Sequence, residues 1–335
     1  MPTALRAAIA EYPVWLNTVL VALTIVVIAK GADWIVEAGA RVAKRLGVSE
    51  LVIGLTIVAM GTSAPEFAVT LIAAYAGKNN VSVGNVVGSN IFNLGFILGG
   101  CAMVRPITTS RDLVRRDGTV LIGTAVLLTL LLGFDLTLGR LDGVVLFSLL
   151  ALYLAFLFVR RAAPSDEVSE LVGDDDDQPP KGWRDALHLI GGLTLVVIGS
   201  GLLVESASAV ARSFGVDEWV IGVTVVAAGT SAPELATSLT AVVRGRYALS
   251  AGNVIGSDIF NMLGVLGVAG MFRPMVIDPI ARESLVMMVV MVIAVIGFMR
   301  SGWRVSRLEG AALLLMSSGR WLHNVVYTAR GGRLF

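Results

Sequence analysis

The stretch GTSAPE occupies positions 61–66, and the same six residues recur at positions 229–234. Both copies lie inside long apolar runs, where a proline and a glutamate are unfavourable. Proline lacks the N–H of a helical hydrogen bond, and a carboxylate is costly in an apolar medium. The recurrence of both residues in the same surroundings indicates a role for them beyond packing.

The two copies belong to a longer internal duplication. With an offset of 168 residues, LVIGLTIVAMGTSAPEF (51–67) aligns with WVIGVTVVAAGTSAPEL (219–235). At the same offset and without a gap, GNVVGSNIFN (84–93) aligns with GNVIGSDIFN (252–261). A gapless register over both stretches is the signature of a sequence repeat.

The composition indicates a membrane protein. The chain has 335 residues, of which 56% are hydrophobic and only 15% charged. One cysteine and two histidines argue against disulfides and against a soft-metal site. A net charge of +1 gives no indication of nucleic-acid binding. We therefore expect neither an enzyme nor a cofactor, and no protein partner is implied.

Apolar windows predict an all-α integral membrane protein. Ten transmembrane helices are expected, at 14–40, 51–76, 81–104, 117–134, 139–160, 186–212, 219–243, 249–272, 284–300 and 306–326. A polar, acidic linker at 161–184 separates an N-terminal half, 1–160, from a C-terminal half, 185–335. Each half holds one copy of the repeat, at about 51–104 and 219–272.

Because each half contains five helices, an odd number, the second half enters the membrane with the opposite polarity. This predicts two inverted-topology five-helix repeats, the plan of many secondary transporters, whose ion sites lie near the membrane midplane. The distribution of Lys and Arg places the N- and C-termini outside. In that orientation 16 of the 26 basic residues lie in inner segments and 9 in outer segments.

The GTSAPE motif can supply oxygen ligands. Pro65 deprives the carbonyl of Gly61 of its helical partner, so that the turn opens and the carbonyl needs another partner. Thr62 and Ser63 lie four and three residues before Glu66, on the same helix face. The second copy repeats this set with Thr230, Ser231, Pro233 and Glu234.

The second motif adds hydroxyl and amide oxygens from a partner helix. Its serine and asparagine, four residues apart, are Ser89 and Asn93 in the first copy and Ser257 and Asn261 in the second. Such hard oxygen ligands suit Na⁺ and Ca²⁺, and one Ca²⁺ or two Na⁺ would neutralise the two glutamates. Asp258, which stands where the first copy has Asn90, is expected beside the site or between helices.

Simpler explanations exist for single residues. A proline alone commonly only kinks a helix, and Ser or Thr hydroxyls commonly bond to a carbonyl of the preceding turn. A glutamate at the same depth in both copies favours an ion site. Lys30, Asp33 and Glu37 on the first helix are expected to pair locally or to reach towards the interface.

GTSAPE followed by GNVxGSxIFN, in duplicate, resembles the α-repeats of the Ca²⁺:cation antiporter superfamily, especially its prokaryotic sodium/calcium exchanger branch. The resemblance implies ten transmembrane helices in two inverted halves, with helices 1 and 6 sliding as a gating bundle. It implies that Glu66 and Glu234 are shared by the Ca²⁺ and Na⁺ sites, and that Ala59 and Ala227 contribute backbone carbonyls. The remaining ligands that it implies are Thr62, Ser63, Ser89, Asn93, Thr230, Ser231, Ser257 and Asn261.

The predicted function is a secondary antiporter of the cell membrane that exchanges Na⁺ for Ca²⁺ by alternating access. Exchange of more than two Na⁺ for one Ca²⁺, as the family suggests, would be electrogenic. Some relatives carry aspartate at the position of Asn261, and asparagine there implies K⁺-independent exchange. A Ca²⁺/H⁺ antiporter, a passive cation channel and a non-transporting scaffold remain alternatives.

Overall fold

The computed structural model describes residues 12–159, 182–216, 227–279 and 281–329, together with residues 9 and 225. This part of the chain is almost wholly helical. Its helices are α1 (Val14–Leu46), α2 (Glu50–Thr62), α3 (Ala64–Tyr75), α4 (Asn79–Val104), α5 (Leu113–Asp135), α6 (Arg140–Val159), α7 (Gly182–Ser213), α8 (Ala227–Thr230), α9 (Ala232–Val243), α10 (Tyr247–Phe272), α11 (Ala281–Gly302) and α12 (Arg307–Ala329).

Several of these helices can cross a membrane. Within the described ranges, seven are long and apolar enough to do so, and α2 with α3 makes an eighth if the bent pair is one span. The chain is therefore a multi-pass membrane protein. The predicted helix at 219–243 lies partly outside the described residues, and the helix at 306–326 corresponds to α12. The count of ten spans stays a prediction, and the linker at 161–184 lies outside the described residues up to residue 181.

The two long helices α1 and α7 extend beyond their predicted ends. Hydropathy predicts an end of the first helix at residue 40, but α1 continues to Leu46 and closes on Gly47, whose φ is 65°. Lys44 and Arg45 lie in its last turn, where positive charge is favourable at the negative end of the helix dipole. Hydropathy detects where the apolar stretch ends, whereas helical hydrogen bonding continues into the polar region.

The helix break predicted at the first GTSAPE copy is present. The chain leaves the helix at Ser63, and α3 begins with Pro65 in its first turn, at 48° to α2. Among the described residues, one π-helical turn, at Leu113–Asp117 in α5, lies outside the repeat. Three others, which apolar periodicity does not predict either, widen helices of the repeat at Gly54–Val58, Asn93–Leu98 and Phe260–Val265. The last two lie at equivalent places in the two copies of the repeat, and both contain the predicted ligand asparagine.

In the described part of the chain, four two-residue strands join the loops in two antiparallel pairs. They are β1 (Ile107–Thr108), β2 (Thr137–Leu138), β3 (Met275–Val276) and β4 (Arg304–Val305). β1 pairs with β4, and β2 pairs with β3. In the numbering of the repeat, β1 is equivalent to β3 and β2 to β4, so each pair is the counterpart of the other.

At the centre of the molecule, α2 of the first repeat crosses α10 of the second at a glycine contact. A Cβ on Gly256 would lie 2.6 Å from the Cα of Leu55, and one on Gly252 would lie 2.7 Å from the carbonyl oxygen of Leu51. The two glycines are four residues apart, the small-residue spacing that lets membrane helices approach closely. This close contact holds the broken helix of one repeat against the helix that carries the second motif of the other.

The helices α1 and α7 pack along each other. A Cβ on Gly31 would lie 2.8 Å from the carbonyl oxygen of Gly192. Arg41 of α1 binds Asp185 of α7 at 2.6 Å. The expected local pair of Lys30 with Asp33 is present at 3.6 Å.

The acidic residues of α1 also make a contact that local spacing does not predict. Arg244, just after α9, pairs with Asp33 and, at 2.8 Å, with Glu37. These ion pairs link α1 to the segment that follows α9.

The glycine crossing can be tested by adding one methyl group. Gly256→Ala is expected to lower the free energy of unfolding by about 1–3 kcal/mol, because the new Cβ overpacks the contact with α2. Thermal unfolding in detergent measures the change. Gly123→Ala on α5, whose Cβ would meet no described atom within 4 Å, is the matched control. Equal stability of the two variants would contradict a tight crossing.

Candidate ion-binding site

The two glutamates of the GTSAPE copies occupy equivalent positions. Glu66 lies in the first turn of α3, and Glu234 lies in the first turn of α9, each directly after a proline. Both side chains are fully buried, with 0% exposure. The first turn of a helix has backbone N–H groups without helical partners and a positive dipole end, so it is the part of a helix that best accommodates a carboxylate.

Each glutamate is held by a serine of the other repeat. The Ser63 hydroxyl donates to Glu234 Oε1 at 2.9 Å, and the Ser231 hydroxyl donates to Glu66 Oε1 at 3.0 Å. Thr62 and Thr230 lie beside the same carboxylates, again across the repeats. The two carboxylates therefore share one site, to which both repeats contribute.

The partner helices α4 and α10 bring the second motif to this site. The Ser257 hydroxyl lies 3.5 Å from the Thr62 hydroxyl and 3.5 Å from the carbonyl oxygen of Ala59. The Ser89 hydroxyl accepts from Asn261 Nδ2 at 3.5 Å. The predicted residues of α4 and α10 are thus adjacent to one another, and α10 also reaches the opened turn of α2.

The carbonyl oxygen of Ala59 accepts several hydrogen bonds at the opened turn of α2. It accepts from the backbone N–H of Ser63 at 3.0 Å and from the Thr62 hydroxyl at 3.3 Å. In the second repeat, Ala227 is the first residue of α8, the short helix that ends at Thr230. Its backbone position is equivalent to that of Ala59, and its side chain lies outside the described part.

Two asparagines that sequence analysis did not select also support the glutamates. Asn85 Nδ2 donates to the backbone oxygen of Glu66 at 3.3 Å and to Thr70 Oγ1 at 3.0 Å. Asn253 Nδ2 donates to the backbone oxygen of Glu234 at 3.5 Å and to the Ser238 hydroxyl at 3.0 Å. Both are identical between the copies and precede the predicted serines by four residues, a signal that could have identified them.

The site contains buried oxygens that lack a donor. Among the described residues, five carboxylate or amide oxygens in this region have no hydrogen-bond partner; they are Glu66 Oε2, Glu234 Oε2, Asn93 Oδ1, Asn261 Oδ1 and Asp258 Oδ2. Each can only accept, and an unsatisfied buried acceptor costs free energy unless a donor or a cation is near. Hard oxygens of this kind suit Na⁺ or Ca²⁺. Within the described ranges, no three His, Cys, Asp or Glu residues cluster as a metal centre.

Comparison with known proteins agrees with this chemistry. The model of the family described as "Sodium/calcium exchanger protein" matches residues 16–159 and 185–316. The putative antiporter CaxA of Alkalimonas amylolytica is 37% identical over 308 residues, which cover 90% of this chain and 96% of CaxA. The sodium/calcium exchanger MaX1 of Methanosarcina acetivorans is 33% identical over 344 residues, 89% of this chain and 95% of MaX1.

Solved structures of the sodium-calcium exchanger NCX_Mj have a similar fold. One of them superimposes with a TM-score of 0.79 at 30% identity, and the match covers 91% of this chain and 97% of that one. The similarity therefore extends over nearly the whole length of both chains, including both copies of the repeat.

The hydrogen bonds between the repeats can be tested by a double-mutant cycle. Ser63→Ala is expected to lower the free energy of unfolding by about 1–3 kcal/mol, because Glu234 loses its donor. In the Glu234→Gln background the same change should cost less, because a neutral amide depends less on that donor. Thermal unfolding without added Na⁺ or Ca²⁺ measures both.

Ser148→Ala on α6, where the serine is exposed, provides the control and should be close to neutral in both backgrounds. Additive effects of Ser63→Ala and Glu234→Gln would mean that the two residues do not interact.

Proposed function

This chain belongs to the sodium/calcium exchanger protein family, and on that premise we propose that it exchanges Na⁺ for Ca²⁺ across the cell membrane. The observation that supports this most strongly is the pair of buried glutamates, each bonded to a serine of the other repeat and each with one oxygen unpartnered among the described residues. Two carboxylates that share one enclosed site require positive charge, and either one Ca²⁺ or Na⁺ ions can supply it.

The proposed ligands are those that the sequence predicts. Glu66 and Glu234 bind either ion, and the surrounding oxygens replace the water that the ion loses. Those oxygens come from the hydroxyls and amides of Thr62, Ser63, Ser89, Asn93, Thr230, Ser231, Ser257 and Asn261, and from the carbonyls of Ala59 and Ala227. Since Ca²⁺ takes six to eight oxygens in a flexible arrangement, part of this set of twelve residues is enough to bind it.

The proposed architecture is ten transmembrane helices in two inverted halves, 1–160 and 185–335, joined by the polar linker. The reciprocal strand pairs and the reciprocal Ser–Glu hydrogen bonds support it, because a two-fold axis between inverted repeats relates contacts in this way. In such a fold the two repeats can present the same site to each side of the membrane in turn.

Transport follows from the cost of the empty, charged site. Ion binding neutralises the carboxylates and favours the occluded state, after which the site opens to the other side. The α1–α7 pair is the proposed moving element, because its helices pack along each other and α7 packs against Gly61 and Gly229 of the two GTSAPE copies. With more than two Na⁺ for each Ca²⁺ the exchange moves net charge, and Asn261 favours K⁺-independent exchange.

Transport assays in proteoliposomes test the proposal. An outward Na⁺ gradient is expected to drive uptake of radioactive Ca²⁺, and K⁺ should not be required. Glu66→Gln or Glu234→Gln should lower the initial rate at least about 100-fold. Each change removes one of the two negative charges that balance the bound cation. Asp112→Asn, which removes an exposed carboxylate, is the control.

Each alternative has its own outcome in this assay. Uptake that follows a pH gradient and ignores Na⁺ would identify a Ca²⁺/H⁺ antiporter instead. Flux without any counter-ion would identify a channel, and unchanged function in both glutamine variants would leave a scaffold.

The proposed orientation, with both termini outside, can be tested with single cysteines. In a Cys101→Ser background, Arg140→Cys lies at the predicted outer end of the fifth helix and Ser165→Cys in the predicted cytoplasmic linker. A membrane-impermeant maleimide added to intact cells should label the Arg140→Cys variant and not the Ser165→Cys variant. The segments richest in Lys and Arg stay on the cytoplasmic side, where the reagent cannot reach them. The opposite pattern of labelling would reverse the topology.

A further inference from the structure

Asp258 breaks the equivalence of the two repeats. It lies in α10 at 0% exposure, and its counterpart 168 residues earlier is Asn90. The flanking residues of the two motifs otherwise match closely, so the second copy differs by one buried carboxylate. A carboxylate inside a membrane span is energetically costly, and such residues usually have a functional role.

The carboxylate of Asp258 binds a proposed ligand of the other repeat. Asn93 Nδ2 donates to Asp258 Oδ1 at 3.0 Å, and Asn90 Nδ2 donates to the backbone oxygen of Asp258 at 3.2 Å. In the opposite direction, Asn261 Nδ2 donates to Asn90 Oδ1 at 3.3 Å. The same hydrogen bond therefore exists in both repeats, once to a carboxyl oxygen and once to an amide oxygen.

The charged acceptor fixes the orientation of the Asn93 amide. A carboxylate can only accept, so the NH₂ group of Asn93 must face Asp258 and the amide oxygen must face away. That oxygen, Asn93 Oδ1, has no partner among the described residues. Asn90 imposes a weaker constraint on Asn261, because an amide can both donate and accept.

Asp258 also adds negative charge near one of the two glutamates, Glu234. It lies close enough to Glu234 for the two carboxylates to repel each other, and Asp258 Oδ2 is unpartnered in the described part. The energy of a cation in the field of a nearby charge is proportional to its own charge, so a third carboxylate stabilises Ca²⁺ about twice as much as each Na⁺.

We propose that Asp258 sets the preference of the site for divalent over monovalent cations. It is a positioning residue: it holds the Asn93 amide with its oxygen towards the cation, and its charge favours Ca²⁺ over Na⁺. This inference rests on the proposed function, since it assumes that Asn93 belongs to the transported-ion site.

A purely structural role is the competing explanation, in which Asp258 only joins α10 to α4. Asp258→Asn separates the two, because asparagine keeps the size and an acceptor oxygen for Asn93 but loses the charge. It also makes position 258 the same as Asn90, a side chain that the fold already accommodates at the equivalent site.

The experiment measures Ca²⁺ binding to the purified protein by calorimetry, and Na⁺ binding by competition with Ca²⁺. Asp258→Asn is expected to raise half-saturating Ca²⁺ about tenfold and half-saturating Na⁺ about threefold, in the ratio that the ionic charges require. The exchange variant Asn90→Asp/Asp258→Asn restores the charge from the other repeat, so it should recover most of the preference for Ca²⁺.

Unchanged Ca²⁺ binding in Asp258→Asn, or equal losses for both ions, would overturn the inference. If Asp258→Asn does not fold, Asn90→Asp alone tests the same idea, because an added carboxylate should lower half-saturating Ca²⁺ and a rise would contradict it. Failure of the proposed function gives a different result: the wild-type protein would bind Ca²⁺ but show no Na⁺-driven Ca²⁺ flux.

Discussion

Two carboxylates buried in the middle of an apolar bundle impose the main constraint on this structure. Glu66 and Glu234 are fully enclosed, and a charged group there is stable only with specific partners. Each receives a hydroxyl donor from the opposite repeat and lies at the positive end of a helix. Since the donors come from opposite repeats, neither half can stabilise its own glutamate in this way.

The broken helices follow from the same constraint. In a continuous helix, Glu66 would lie mid-helix, where every backbone N–H is already bonded within the helix. The break at Ser63 creates a new helix start, and Pro65 fits there because its missing N–H is not needed in the first turn. The freed polar groups then face α10, which the glycine contact brings to within van der Waals distance. The contact between α2 and α10 therefore determines both the helix packing and which polar groups meet at the site.

Sequence reasoning found most of the candidate site because its residues recur in register. The glutamates, the neighbouring hydroxyls and the serine–asparagine pairs are visible from helical spacing alone, and the structure brings them together. Asn85 and Asn253 were missed because each acts from a neighbouring helix. Their side chains donate to the backbone oxygens of Glu66 and Glu234, and helical spacing does not predict such a contact. The π-helical turns were missed because one extra residue in a turn does not disturb an apolar run.

The sequence by itself determined the membrane environment, the duplication, the position of the helix break and the oxygen-rich chemistry. These depend on composition and on neighbours three or four residues apart, which the helical period fixes. Only the tertiary structure decided which hydroxyl donates to which carboxylate, since Ser63 and Glu234 are 171 residues apart and Ser231 and Glu66 are 165 apart. Such contacts depend on how helices cross, and that follows from the packing of the whole bundle rather than from any single stretch of it.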